Sequence, residues 1–194
     1  MRIGAVILAG GAGRRIGGDK PFRLLAGRSL VDHVLDQVKA WQIPCAIAIR
    51  DHADLRFPDH LPLLHDREDA GPIAGLASAL RHAVREGLDA ILTLPCDTPL
   101  LPRDLPERLK HALALPSEAA VARSGERLHP SCGLWRASAS VRIENYLQRR
   151  ASLRGFAEEL GAVIVAWPVQ PYDPFFNVNT EDDLAAAENL LKGR

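Results

Sequence analysis

Cysteine is scarce in this chain: Cys45, Cys96 and Cys132 are the three in 194 residues, and no two are spaced as CxxC. An odd, scattered set argues against a disulfide framework and against a structural zinc site, and reads as reduced thiols in a cytoplasmic setting. Net charge is lacking too, because 24 Lys and Arg balance 24 Asp and Glu. That speaks against bulk attraction to nucleic acid or to an acidic membrane, so any basic function has to be local. No apolar run is long enough to span a bilayer. The opening stretch MRIGAVILAGGAGRR does not read as a signal peptide, since its apolar run is short, broken by glycines and followed by its arginines. The seven histidines show no HExxH-type ligand spacing. Repeats and low-complexity tracts are absent, and the turn-rich Pro168–Pro174 is too short to separate two domains.

What is present suits one α/β domain over residues 1–194: hydrophobic residues make up 47% of the chain, enough for a sizeable core. Strand and helix signals alternate. Ile3–Leu8 reads as a buried strand ended by glycines, Ala9–Pro21 as loop, and Ser29 as the cap of a helix from Leu30 to about Ala40. Cys45–Ile49 and Leu61–Leu64 read as strands, the latter ending at His65-Asp66. A helix starts at Pro72 and runs to about Glu86, Ala90–Leu94 is a strand, and Asp104 opens a helix to about Ala114. Further on, Ala119–Ala122, Cys132–Trp135 and Val163–Trp167 read as strands, and Ser140–Arg149 and Leu153–Leu160 as helices. Thr180 with Asp183 caps a last helix to about Leu191. Repeated strand–helix–strand units imply a mainly parallel sheet covered on both faces, with ligands beyond the carboxyl ends of its strands.

Five groups of residues carry candidate chemistry. LAGGAGRRIGGDK, Leu8–Lys20, joins glycines, which let backbone N–H groups close on an anion, to the fixed charges of Arg14, Arg15 and Lys20. A triphosphate needs that combination. The loop is neither a dinucleotide fingerprint, which would need glycine where Ile16 stands, nor a P-loop, which would need lysine where Asp19 stands. In Pro95-Cys96-Asp97-Thr98-Pro99, Asp97 follows a strand and suits Mg²⁺, with prolines stiffening the turn and Cys96 a packed small residue. Asp66 with Gly71-Pro72-Ile73-Ala74-Gly75 could meet a base or ribose. Asn177 and Asn179, alternating in an extended segment, point to one side. His129, beside Arg123 and Arg127, could bind an acceptor phosphate.

As a set, LAGGAGRRIGGDK, GPIAG, PCDTPLLP, HPS and FFNVNT resemble the molybdenum cofactor guanylyltransferase family in order and spacing over essentially the whole chain. The resemblance implies a Rossmann-like three-layer α/β/α sandwich. It implies transfer of GMP from MgGTP to molybdopterin or its molybdenum-loaded form, releasing pyrophosphate, with other cofactor-biosynthesis proteins as further partners. By similarity Leu8, Ala9, Gly10, Gly11, Lys20, Asp66 and Asp97 bind GTP, Asp97 also holds Mg²⁺, and Arg15 grips phosphate. Asn177 and Asn179 would lie on the acceptor side. One departure stands out: Ala48 occupies the position where the family often carries a nucleotide-contacting Asn, with Arg50 and Asp51 as nearby polar candidates. The alternatives are a relative using CTP or UTP with a sugar or alditol phosphate, and a GTP-binding module without turnover.

Overall fold

Six uncharged residues, Ile3–Leu8, form the strand β1 at the centre of the sheet, where both faces are covered and continuous apolar character is required. The computed structural model of the chain describes residues 1–10, 18–50, 56–66, 71–114, 116–149 and 152–193. Beside β1 lie β4 (Cys45–Arg50) and β6 (Ala90–Pro95), both parallel to it, and β5 (Leu63–Asp66) runs parallel along β4. The two-residue strands β2 (Leu24–Leu25) and β3 (Arg28–Ser29) pair as a small hairpin apart from the main sheet.

Beyond β6 the direction changes. The strand β8 (Arg127–Arg136) is antiparallel to β6 and to β7 (Ala119–Ser124), and β9 (Val163–Trp167) runs parallel to β7. Among the described residues the sheet order is β5-β4-β1-β6-β8-β7-β9, so four of its six pairings are parallel, in keeping with the expected mainly parallel sheet.

Helices cover both faces. Val31, Val34 and Val38 of α1 (Leu30–Ala40) pack with Leu105 and Leu109 of α3 (Leu105–Ala112) on one side. Ile73, Leu76 and Leu80 of α2 (Pro72–Arg85), Ile143 of α4 (Ser140–Leu147) and Phe156 of α5 (Leu153–Glu159) pack on the other. Burying each such side chain is worth roughly 1.5–3 kcal/mol. The result is the expected three-layer α/β/α sandwich. Ser29 caps α1 by accepting from the Asp32 N–H at 3.2 Å, as its sequence position predicts. Among the described residues, no helix is long and apolar enough to cross a membrane.

Two expectations change. The strand read as Leu61–Leu64 is Leu63–Asp66, so His65 and Asp66 belong to the ladder. The strand read as Cys132–Trp135 is Arg127–Arg136, with a register shift between Val121, opposite Gly133, and Ala122, opposite His129. The proline inside β8, Pro130, falls within that irregular stretch, where a missing N–H is tolerated. Asp104 stands at the start of α3 as its place in the sequence predicts, and its carboxylate accepts the Trp167 indole N–H at 2.9 Å rather than a helix N–H.

A smaller third core joins the segment after Lys20 to the last helix. Leu25 and Leu30, at the β2–β3 hairpin and the start of α1, pack on Val178 and on Leu184 and Ala187 of α6 (Glu181–Lys192). It fastens the segment just after Lys20 to the segment that carries Asn177 and Asn179.

Candidate active site

The carboxyl ends of β5, β4, β1 and β6 share one rim. Their register places Leu8 opposite both Ala48 and Pro95, and Arg50 opposite Asp66. Ligands of open α/β sheets bind along such a rim. The Ala9 N–H donates to the Ala48 carbonyl at 2.8 Å, and the Cys96 N–H to the Leu8 carbonyl at 3.2 Å, so both chain turns leave the sheet under restraint.

Asp97 sits in the turn immediately after β6, and its two oxygens have different partners. Oδ1 accepts from the Asn177 amide at 2.9 Å and from the Thr98 hydroxyl at 3.3 Å. Oδ2 pairs with the Lys20 ammonium, both side chains being largely buried. Lys20 Nζ also donates to Asn179 Oδ1 at 2.7 Å. Cation, carboxylate and two amides therefore form one hydrogen-bonded cluster assembled from three distant stretches of sequence.

Local structure accounts for each position. Lys20 opens a single 3-10 turn, Lys20–Phe22, behind Asp19, whose φ of 49° is left-handed. The Arg56 guanidinium pairs with Asp19 at 2.9 Å and lies over the Phe22 ring at 3.9 Å, bracing that turn. Gln37 of α1 donates to the Pro99 carbonyl at 2.7 Å and fixes the far side of the Asp97 turn. Val178 is fully buried and its N–H donates to the Asp97 carbonyl at 2.9 Å, so its two neighbouring asparagines face the cluster. The capping box of α6 holds the segment's end: Asp183 accepts from the N–H groups of Asn179 and Thr180 at 2.8 and 2.9 Å.

Of the residues expected from sequence, Lys20, Asp97, Asn177 and Asn179 are brought together, and Leu8, Ala9 and Gly10 stand at the carboxyl end of β1 on the same rim. Arg15, Gly11 and Arg14 lie outside the described residues. Asp66 ends β5 on the same rim, its side chain outside what is described. Gly71, at the head of α2, has a φ of 63°, and among the described residues nothing lies within 4 Å of where a Cβ would stand. Glycine is there for its backbone freedom.

Two further residues singled out from the sequence are buried. His129 is 5% exposed, its Nε2 lies 2.7 Å from the Ser124 hydroxyl, and its ring stacks on Phe175 at 4.7 Å. Burial lowers its pKa to about 4, with Arg127 pushing the same way and Asp173 opposing. Held by Ser124 and stacked on Phe175, the imidazole supports the segment leading to Asn177. Ala48 is fully buried in mid-strand within the core beneath α2, so the residue that ends β4 on the rim is Arg50, which is exposed. The structure also adds Thr98, 1% exposed, whose hydroxyl accepts from the Asn177 amide at 3.1 Å while donating to Asp97. A threonine between Asp and Pro is the available signal.

The thiols offer no nucleophile: burial pushes Cys96 and Cys132 well above the ordinary range and Cys45 up to about 12. Among the described residues, no group of three or more His, Cys, Asp or Glu could hold a metal by itself.

A lysine held beside a strand-end carboxylate at the rim of the sheet, together with the family match, places this molecule among the nucleotidyltransferases. The chain belongs to the MobA-like NTP transferase domain family, which matches residues 5–163. A molybdenum cofactor guanylyltransferase of Cereibacter sphaeroides is 39% identical over 194 residues, covering 99% of this chain and 98% of the relative. One from Acidiphilium cryptum is 42% identical over 191 residues, covering 95% and 93%. Among solved structures, molybdopterin-guanine dinucleotide biosynthesis protein A from Archaeoglobus fulgidus superposes with a TM-score of 0.78 at 26% identity, covering 100% of both chains.

Proposed function

We propose that the chain, acting as one unit over residues 1–194, transfers GMP from MgGTP to molybdopterin or its molybdenum-loaded form, releasing pyrophosphate in the cytoplasm. The observation that carries the reading is the contact of Lys20, at the end of the glycine and arginine loop, with Asp97 and Asn179. It joins a phosphate-binding segment to a carboxylate at the sheet rim. The family membership and the names of the relatives support the choice of GTP and acceptor.

The residues present fit a divalent cation. Asp97 Oδ2 and Asn179 Oδ1 already converge on one positive group, the Lys20 ammonium, and as hard oxygen donors they would hold Mg²⁺. Bound there, Mg²⁺ supplies neutralisation of phosphate charge.

The chain's own groups do the rest. Attacker and target are both anionic, so repulsion is the first obstacle. Lys20 and Arg15 offset it and stabilise charge on the departing pyrophosphate. An acceptor phosphate is ionised at neutral pH and needs no general base, in accord with the neutral, buried His129 and the protonated cysteines.

The test is incubation with each NTP in turn, Mg²⁺ and molybdopterin, with pyrophosphate release as readout. Release with GTP alone among the nucleotides supports the reading. Release with CTP or UTP and a sugar phosphate would move the chain to a related transferase, and saturable GTP binding without release under any acceptor would make it a binding module.

A further inference from the structure

The Lys20 ammonium sits between two oxygens, Asp97 Oδ2 and Asn179 Oδ1. Asp97 has one oxygen, Oδ1, committed to Asn177 and Thr98, which leaves Oδ2 as its outward ligand atom. Lys20 takes Oδ2 and, at the same time, Asn179 Oδ1 at 2.7 Å. The Lys20 and Asp97 side chains are 12% and 13% exposed, so the pair is largely withdrawn from solvent. Mg²⁺ sheds water reluctantly, and a carboxylate already neutralised by an ammonium attracts it weakly.

We propose that Lys20 is a built-in counter-ion that closes the metal position until a polyphosphate draws it away, so that metal and nucleotide bind interdependently. The inference rests on the reading of Asp97 as the metal-holding carboxylate. Lysine suits this exchange: its charge is compact, its stem is flexible, and its three donors can pass from carboxylate to phosphate. Its backbone is anchored, because Pro21, next in the chain, is buried and the Phe22 ring packs on Phe57 at 4.8 Å, so the exchange needs movement of the flexible side chain alone. Once Nζ turns to the phosphates, Asp97 Oδ2 and Asn179 Oδ1 are released together as a pair of oxygen ligands. Without nucleotide the ion must displace the lysine unaided. By linkage, whatever the nucleotide adds to metal affinity through this exchange, the metal adds equally to nucleotide affinity.

The test is Mn²⁺ binding to the nucleotide-free protein, read as loss of the free-ion electron paramagnetic resonance signal. It is made on the unaltered chain, Lys20→Met, Lys20→Arg and Arg23→Met, each first shown to be folded by circular dichroism. Lys20→Met should bind Mn²⁺ about tenfold or more tightly than the unaltered chain, within the usual range of coupling between sites. Lys20→Arg should stay weak, because it keeps a cation at the carboxylate. Arg23→Met removes a nearby cation that pairs with Glu181 and not with Asp97, and should change little, which separates displacement from general electrostatics. Equal affinity in the unaltered chain and Lys20→Met, or an equal gain in Arg23→Met, overturns the proposal. Asp97→Asn tests the underlying reading separately: if Lys20→Met and Lys20→Met/Asp97→Asn bind Mn²⁺ alike, Asp97 is not the metal carboxylate, whatever Lys20 does.

Discussion

The Asn177 amide donates to Asp97 Oδ1 at 2.9 Å across 80 residues of sequence, and one residue further on the Val178 N–H donates to the Asp97 carbonyl at the same distance. The segment from Asn177 to Asn179 is thus strapped to the Asp97 turn through both backbone and side chain. The carboxylate is oriented before any ligand arrives, and preorganised groups of this kind are what stabilise charge during a reaction.

Asp97→Ala should lower kcat about a hundredfold or more while leaving the fold in place, since Asp97 stands in a turn at the rim. Steady-state pyrophosphate release together with a thermal melt checks this. Turnover near the unaltered rate would remove Asp97 from the chemistry.

Asn177→Ala should cost roughly tenfold or more in kcat, because Asp97 Oδ1 loses a donor and the carboxylate is no longer held in one orientation. Asn177→Asp should be worse, as it sets a second anion against Asp97. Comparing kcat and KM for the two variants tests the distinction, and matching losses would argue against an electrostatic cause.

Asp183→Ala removes the acceptor for two backbone N–H groups, those of Asn179 and Thr180. The expected cost is about 1–2 kcal/mol of stability, measured by urea unfolding, accompanied by a fall in activity because Asn179 loses its anchor. Loss of stability without loss of activity would mean that Asn179 is held well enough by Lys20.

Stability should fall with acidity partly through His129. Its folded pKa of about 4 lies below the ordinary 6.5, so between those values the unfolded chain binds the proton and the folded chain does not. The contribution is complete above about pH 6.5 and is lost progressively down to about pH 4, amounting to roughly 1–3 kcal/mol. Urea midpoints across this range should depend less on pH in His129→Phe/Ser124→Ala than in the unaltered chain. The double change also avoids leaving the Ser124 hydroxyl without its partner.

The thiols should resist modification in the folded protein. Cys96 and Cys132 are buried, and all three pKa values are raised by burial. A disulfide reagent at mildly alkaline pH should react slowly with the native chain and rapidly with all three cysteines in denaturant. Fast native labelling accompanied by loss of turnover would reopen the possibility of a working thiol.

Much of this is legible in the sequence because the signals are local. Apolar runs ended by glycine or proline mark β1 and β6, and Ser29 and Thr180 mark helix starts, since a cap works within three residues of itself. The spacing of the two asparagines is likewise enough to put them on one side of an extended segment. The β2–β3 hairpin escapes such a reading because two-residue strands carry almost no periodicity. The extent of β8 escapes it because its register shift breaks the alternation on which a strand reading depends. The place of His129 is hidden because neighbouring arginines in sequence say nothing about whether a side chain is buried.

By itself the sequence determined the α/β class, the order of its elements and the residue types available for gripping phosphate and a hard cation, all of which follow from local spacing and chemistry. Only the tertiary structure decided which of those residues meet. Lys20, Asp97 and Asn179 converge because the third core joins the hairpin after Lys20 to Val178 and α6, and long-range packing of that kind leaves no mark in the spacing of any one segment.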